Sequence, residues 1–201
     1  MNLRFHVADS PEALRDFYDK FCNGTRDGNL YKGAGSYGSV RDYFVQQSDS
    51  LFLPEFEIIG PVLLPNSYAY YGKDNGDYHD VNINMFFNHA VIGAQELVSD
   101  WTRYDNDRDG KVDLVYFIYA GEGENGCDDE NTIWPRGKVN DRTIGQQTFC
   151  AYSCSNELYD DLVDGIGTMC HEMGHNLGLP DFYDTQGQSY GMDYWDVMDT
   201  D

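Results

Sequence analysis

The segment His171-Glu-Met-Gly-His175 restricts the fold of this chain more than any other feature of the sequence. Residues four apart lie on the same face of an α-helix, so a helical segment brings both imidazoles within reach of one cation. Glu172 then projects beside them. Packing alone rarely brings two histidines and a carboxylate to this spacing. The motif therefore predicts a helix with a catalytic zinc site, in which Glu172 accepts a proton from the attacking water.

The third zinc ligand is expected just beyond that helix, where the chain completes the pattern HExxHxxGxxD. Gly178 permits a positive φ that turns the chain back, and Pro180 prevents the helix from resuming. Asp181 is therefore the candidate ligand, and Asp184 is its rival. Met198 lies further on in a short apolar turn, and it is the candidate for an apolar floor beneath the metal. Without the zinc motif it would be interpreted as a core methionine.

A second metal pattern lies in the acidic loop 105–113. Alternating carboxylates followed by glycine match the first nine positions of an EF-hand-type loop, although position twelve is Tyr116 and the bidentate glutamate is absent. We expect calcium here rather than a solvated turn, because clustered aspartates would otherwise repel one another. The acidic residues of the run 122–130 could hold another ion, but a solvated loop is the favoured interpretation. They are Glu122, Glu124, Asp128, Asp129 and Glu130. The candidate calcium ligands are Asp105, Asp107, Asp109, the carbonyl of Lys111, and Asp113.

Helical and strand patterns alternate along the chain, which predicts a single α/β (α+β) domain with one mixed sheet. The continuous apolar run 114–120 is typical of a central strand, and the more polar segment 143–153 of an edge strand. The remaining predicted elements are a capped helix over 11–23, a short helix from Ser39, a strand over 55–64 interrupted at Gly60-Pro61, and helices over about 80–99 and 160–177.

Composition excludes several classes of protein. The 201 residues have a formal net charge of −22, with scattered cations, which argues against binding to nucleic acid or to an anionic membrane surface. With 41% hydrophobic residues the chain is not predicted to be disordered. It contains neither an apolar run long enough to span a membrane nor a signal peptide. Of the five cysteines, Cys170 is expected to be buried, and Cys127 is expected to pair with Cys150 or Cys154.

Four segments together resemble the immune inhibitor A family of bacterial secreted metallopeptidases, a branch of the metzincins. The resemblance implies a secreted zinc endopeptidase that acts on proteins or peptides, with a twisted five-stranded mixed sheet, long helices, and an edge strand beside the cleft. By that resemblance His171, His175 and Asp181 bind zinc, Glu172 is the general base, and Met198 forms the floor. The segments are 38–44, 105–113, 171–184 and the Trp-Asp-Val-Met turn at 195–198.

The chain departs from that family at its ends. Family members begin with an apolar strand, of which Met1–Phe5 is at most a remnant, and they continue beyond the methionine turn, so residues 1–201 are expected to be a truncated catalytic domain. Asp199 replaces an expected small residue, and no tyrosine stands two residues past Met198, where some metzincins keep an oxyanion-stabilising phenol. Tyr190 and Tyr194 are weak candidates to replace it. The alternative function is a non-catalytic, calcium-stabilised binding or adhesion module on a protease-like fold. The presence of Glu172 favours catalysis.

Overall fold

A mixed β-sheet lies between two layers of helix in the computed structural model, which describes residues 5–24, 32–33, 35–76, 78–127, 129–184 and 188–199. The chain order is α1 (Pro11–Asn23), β1 (Lys32–Gly33), β2 (Ser36–Tyr37), α2 (Val40–Gln47), α3 (Tyr68–Tyr71), α4 (Ile83–Ala94), β3 (Val112–Glu122), α5 (Glu124–Cys127), β4 (Arg136–Ile144), β5 (Gln147–Tyr159), β6 (Leu162–Val163) and α6 (Ile166–Asn176), with 3₁₀ turns at Trp101–Tyr104 and Asp193–Trp195.

The described part of the main sheet has four strands. β5 pairs in parallel with β3 and antiparallel with β4 and β6. The mixed sheet implied by the resemblance is therefore confirmed. Helices α1, α2 and α6 form one apolar cluster on one face of the sheet, and α4 contributes to the two clusters on the other face.

The first two helices begin as the sequence predicts. Ser10 caps α1 by accepting the N–H of Ala13 at 3.2 Å. Ser39 and Asp42 form a reciprocal capping box at α2, which satisfies backbone donors that the helix itself leaves unpaired. These local signals fix the starts of both helices that later support the site helix.

The prediction that the apolar run 114–120 is the central strand is wrong for the described sheet. β3 pairs on one side only, and β5 is the central strand. The run is apolar because both of its faces are covered by helices, which is a different cause from a central position. Leu114, Tyr116 and Ile118 pack toward α1 and α6, whereas Val115, Phe117 and Tyr119 pack toward α4.

The segment 55–64 is extended but forms no ladder within the described residues, so the predicted strand is wrong. Its alternating side chains do face inward, since Phe56 and Ile58 pack against the core. Side chains replace the missing strand partner: Asn23 accepts the N–H of Phe56 at 2.9 Å and donates to its carbonyl at 2.8 Å. Pro61 and the neighbouring prolines lack N–H donors, which explains why the segment does not pair.

The predicted edge strand 143–153 is also wrong, because it spans a hairpin. Ile144 pairs with Gln147 across Gly145, whose φ of 65° suits a two-residue turn. β4 is an edge strand of the described sheet, and residues 147–153 belong to the central strand. The polar composition of 143–153 therefore reflects a turn together with Ser153, on the strand that supports the site.

Two predicted helices are shorter than their patterns indicate. α4 starts at Ile83 rather than near Asp80, which has a φ of 50°, and it ends at Ala94. α6 starts at Ile166, because Asp160 and Asp161 have φ values of 51° and 60° and form the turn into β6. Positive φ is incompatible with a right-handed helix, so both starts move toward the C-terminus.

All five cysteines are free, so the predicted disulfide is wrong. Cys127 lies in α5, and a Cβ on the adjacent Gly126 would be 3.2 Å from the ring of Tyr159. Cys154 lies five residues before Tyr159 on β5, about 16 Å along the strand, whereas a disulfide needs Cα atoms within about 7 Å. Cys170 is buried, as predicted, at 1% exposure. No helix of the described chain is long and apolar enough to cross a membrane.

Candidate active site

Helix α6 carries the predicted zinc motif and lies against the sheet at β4 and β5. Ser153 on β5 donates a hydrogen bond to Asn176, and Asn176 donates to the carbonyl of Lys138 on β4 at 3.2 Å. A Cβ on Gly137 would lie 2.4 Å from the carbonyl oxygen of Glu172. At Gly137 the backbone of β4 therefore lies so close to α6 that no side chain would fit between them.

His171, His175 and Asp181 lie together. The Oδ1 atom of Asp181 is 3.3 Å from Nε2 of His171 and 3.2 Å from Nε2 of His175. Ligand atoms about 2.0 Å from a tetrahedral ion are about 3.3 Å apart, so both distances match the edge of such a tetrahedron. The structure thus gathers the three residues that the sequence singled out as metal ligands.

Both imidazoles are oriented by backbone carbonyls. Nδ1 of His171 donates to the carbonyl of Val197 at 2.8 Å, and Nδ1 of His175 donates to that of Leu179 at 2.9 Å. A carbonyl can only accept, so each neutral ring has its lone pair on Nε2. Oδ1 of Asp181 is buried and has no hydrogen-bond donor among the described residues. With both rings neutral, three electron-rich atoms converge at this point, and a cation there would relieve their repulsion.

The turn after α6 places Asp181. Gly178 has the expected positive φ, 91°, and the N–H of Leu179 returns to the carbonyl of Gly174 at 3.0 Å. This reversal also directs the Leu179 carbonyl to His175. The rival Asp184 is not part of the cluster of ligand atoms, and its carboxylate accepts the N–H of Gln188.

Met198 lies directly under the site helix, at 1% exposure. A Cβ on Gly174 would be 2.3 Å from its sulfur, so the methionine occupies the space that this glycine leaves. The carbonyl of Met198 accepts the N–H of Phe182 at 2.8 Å, just after Asp181. The methionine turn is therefore tied both to the helix and to the segment with the third ligand.

Glu172 is 6% exposed and follows His171 on the same helix. Burial raises the pKa of Tyr116 well above its ordinary value, and the negative charge of Glu172 acts in the same direction. The phenol beneath the site therefore stays neutral. Tyr190 and Tyr194, the two candidates for an oxyanion donor, are 100% and 85% exposed.

The comparisons with known proteins decide the family. Residues 12–201 match the model of the immune inhibitor A peptidase M6 catalytic domain. The chain belongs to this family. Immune inhibitor A of Bacillus thuringiensis subsp. alesti is 24% identical over 231 aligned positions, which cover 94% of this chain and 32% of the relative. The pre-pro-metalloprotease PrtV of Vibrio cholerae serotype O1 is 26% identical over 194 positions, which cover 80% of this chain and 21% of the relative.

This M6 chain thus spans about a third of the length of the Bacillus relative and about a fifth of the length of the Vibrio relative. A metallopeptidase family implies a bound metal, and the donor set of two imidazoles and one carboxylate on α6 and its exit turn fits one. The family resemblance drawn from the motifs is therefore confirmed.

The acidic loop of this M6 domain is only partly arranged as the sequence predicts. Ligand atoms of Asp105, Asp107 and Asp113 lie within 4.8 Å of one another. Asp109 is outside that group: its carboxylate accepts the N–H of Lys111 at 2.9 Å and lies 3.4 Å from the Lys111 ammonium group. That ammonium group also binds Asp141 at 2.7 Å.

Sequence reasoning missed several residues that shape the site. The carbonyls of Val197 and Leu179 orient the imidazoles, and no sequence pattern marks a carbonyl. Gly137 is a signal that could have been used, because a glycine inside a strand often marks close approach of another backbone. Glu124 was assigned to a solvated loop, but it is 6% exposed.

Proposed function

We propose that this domain is a zinc-dependent endopeptidase. The observation that carries the proposal is the convergence of Asp181 Oδ1 and two imidazole Nε2 lone pairs at tetrahedral spacing. Zinc suits this donor set, since catalytic zinc sites typically have three protein ligands from histidine and carboxylate groups. The M6 family membership supports the same reaction.

His171, His175 and Asp181 would hold the ion. Zinc supplies a Lewis acid that polarises a peptide carbonyl and lowers the pKa of water to about 7. The Val197 and Leu179 carbonyls keep both rings in the tautomer that leaves Nε2 free to bind. Met198 packs against Gly174 on the underside of the helix, and this contact fixes the distance of the helix from the methionine turn.

Glu172 would act as the general base. It accepts a proton from the attacking water and transfers it to the leaving amine, which a carboxylate one residue after the first histidine can do without binding the metal. A positioned acid–base group of this kind contributes about 10² to 10⁴ in rate. Its low exposure keeps bulk water from competing for that proton.

The substrate would lie extended along β4. β4 is the edge strand of the described sheet that lies beside α6, and extended peptides bind such edges through backbone hydrogen bonds. Gly137 places this edge beside His175, since a Cβ there would be 3.0 Å from the His175 Cβ. A peptide paired with β4 would therefore pass close to the metal ligands.

The acidic loop would bind calcium as a structural ion. The three gathered carboxylates of Asp105, Asp107 and Asp113 are hard oxygen ligands, and Lys111 would add its carbonyl. Asp109 would contribute through its hydrogen bonds to the loop rather than as a ligand. Loops of this kind in extracellular modules bind calcium at about 0.1 to 1 mM. Together with the pre-pro form named for the Vibrio relative, this favours a secreted protein.

The test measures zinc content and hydrolysis of an unfolded protein in parallel, in the longest natural polypeptide that contains this chain. Glu172→Gln should reduce hydrolysis by at least about 10²-fold with zinc content unchanged. Asp181→Ala should lose both. Asp184→Ala is the matched control and should lose neither.

Two outcomes would contradict the proposal. Full zinc with no hydrolysis in the unmodified protein would support the alternative, a binding module on a protease-like fold. Loss of zinc from Glu172→Gln would make this residue a ligand rather than the base.

A further inference from the structure

A second group of possible metal ligands lies away from α6. Nδ1 of His79 is 2.8 Å from Oδ2 of Asp74 and 3.4 Å from Oε1 of Glu124. One ligand atom from each residue lies within 4.8 Å of the others. Asp74 and His79 come from the loop between α3 and α4, and Glu124 begins α5, so the group joins two separate segments of the chain.

The glutamate of this group is buried without a complete set of partners. The side chain of Glu124 is 8% exposed, and its Oε2 atom has no hydrogen-bond partner among the described residues. Leaving a buried carboxylate oxygen unsatisfied is unfavourable, and a bound cation is one of the groups that explain such an atom. Burial raises the pKa of Glu124, with Asp74 as the next cause.

The carboxylate of Asp74 is oriented so that one of its oxygens can bind a metal ion. Oδ1 of Asp74 accepts the N–H of Asp80 at 2.7 Å, which leaves Oδ2 directed toward His79. The side chain of Asp74 is also only 8% exposed. A hydrogen bond that orients a carboxylate in this way is typical of the outer partners of metal ligands.

The carboxyl groups around this site favour a bound cation. Asp80 has no exposed side-chain surface and is paired with Arg136, while its Oδ2 also accepts the N–H of Trp134. Arg136 thus pairs with Asp80, whereas the nearby carboxyl groups of Asp74 and Glu124 face His79. A divalent ion bound between them would balance the charge of these two carboxylates.

We propose that Asp74, His79 and Glu124 bind a second divalent cation of the zinc class. One imidazole with two carboxylates suits zinc and similar transition metals, whereas calcium sites use oxygen ligands. The site is independent of the α6 ligands, so it goes beyond the proposed peptidase activity.

The second ion would hold the start of the edge strand. The N–H of Glu124 donates to the carbonyl of Ile133 at 3.2 Å, and a Cβ on Gly72 would lie 2.4 Å from Thr132 carbonyl atoms. The two segments that share the ligands therefore lie against residues 132–136, where β4 begins. The ion would fix the strand that Gly137 brings to α6.

The experiment counts zinc ions by elemental analysis in the full chain carrying Glu172→Gln, which removes self-cleavage. After dialysis against micromolar zinc, this protein should hold about two zinc ions per chain, and His79→Gln or Glu124→Gln should each reduce the count to about one. His79 is 59% exposed, so its replacement leaves the core intact. Glu130→Gln, an exposed carboxylate in the same segment, is the matched control and should keep both ions.

Asp181→Ala added to Glu172→Gln should also leave about one zinc, and the further addition of His79→Gln should leave none. The second site is overturned if the Glu172→Gln protein holds one zinc that His79→Gln does not remove. It is equally overturned if only calcium, offered alone, binds at these residues. An inactive native enzyme would refute the peptidase proposal without changing these counts.

Discussion

A methyl group on Gly174 would collide with the methionine under the zinc motif. Its Cβ would lie 2.3 Å from the Met198 sulfur, in a position with almost no exposure. Alanine in place of a helical glycine normally adds about 1 kcal/mol of stability. Overpacking of this kind costs about 1–3 kcal/mol, so we expect Gly174→Ala to lower the melting temperature. Zinc affinity should fall too, because the displaced turn carries the Val197 carbonyl that orients His171.

A second substitution provides the control for Gly174→Ala. Met198→Ala alone should destabilise by about 2–5 kcal/mol through the cavity that it leaves. In the double variant the alanine methyl at 174 has room, so its added effect should disappear and the two effects should not sum. Additive melting shifts would mean that the two side chains do not share this space.

At the residue scale the sequence singled out three side chains that the fold brings together. The HExxHxxGxxD spacing is local, so helix periodicity and the glycine turn were enough to select His171, His175 and Asp181. It could not predict what holds the rings. The Val197 carbonyl reaches His171 only after the chain has passed through the whole exit turn.

At the element scale, Gly137 sets how closely the edge strand approaches α6. A Cβ there would lie 2.4 Å from a backbone oxygen of Glu172, and backbone cannot rotate aside as a side chain can. We expect Gly137→Ala to push β4 away from the helix, to destabilise the domain by about 1–3 kcal/mol, and to lower kcat/KM for an unfolded substrate. Urea denaturation and hydrolysis assays measure the two effects.

The matched control for Gly137→Ala is Lys138→Ala, an exposed position next to it on β4. We expect Lys138→Ala to leave kcat/KM unchanged. It should change the free energy of unfolding by less than about 0.5 kcal/mol, as surface substitutions usually do. If Gly137→Ala and Lys138→Ala have the same stability and the same kcat/KM, the close approach of β4 to α6 does not shape the site.

Elements were predictable where their signals are local, and wrongly predicted where tertiary contacts decide. The caps at Ser10 and Ser39 gave correct helix starts. The pattern over 55–64 indicated an extended segment, but the side chains of Asn23 and Arg15 bond its backbone instead of a strand, and Arg41 bonds the carbonyl of Pro54 just before it. Likewise, Arg142 on β4 binds Asn84 and Asn88 on α4, a contact between distant segments that no local pattern indicates.

At the scale of the whole molecule, the net charge of −22 means that cation binding affects the stability of the folded state. Self-repulsion destabilises a strongly charged compact state, and bound divalent cations reduce it locally. This acidity is evident from the composition, and the loop 105–113 could be recognised from its EF-hand-type pattern. The gathering of Glu124 with Asp74 and His79 could not be recognised in this way, because Glu124 is far from both in sequence and meets them only in the fold.

Calcium is expected to stabilise the domain through the loop that leads into β3. Without an ion, the carboxylates of Asp105, Asp107 and Asp113 repel one another beside Val112, the buried first residue of that strand. At 10 mM calcium and a dissociation constant of about 0.1 to 1 mM, binding to the folded state adds about 1.4 to 2.7 kcal/mol.

This free energy corresponds to a rise in melting temperature of roughly 3–10 °C for a domain of this size, measured with zinc held saturating in every sample. Asp105→Asn should abolish most of the rise, because it removes a ligand charge while keeping the side-chain shape. Asp109→Asn is the informative control: its carboxylate faces Lys111 rather than the cluster, so the rise should largely remain. A calcium-induced rise that survives in Asp105→Asn but is lost in Asp109→Asn would show that the ion is held by a different set of loop oxygens. No rise in the unmodified protein would contradict calcium binding at this loop.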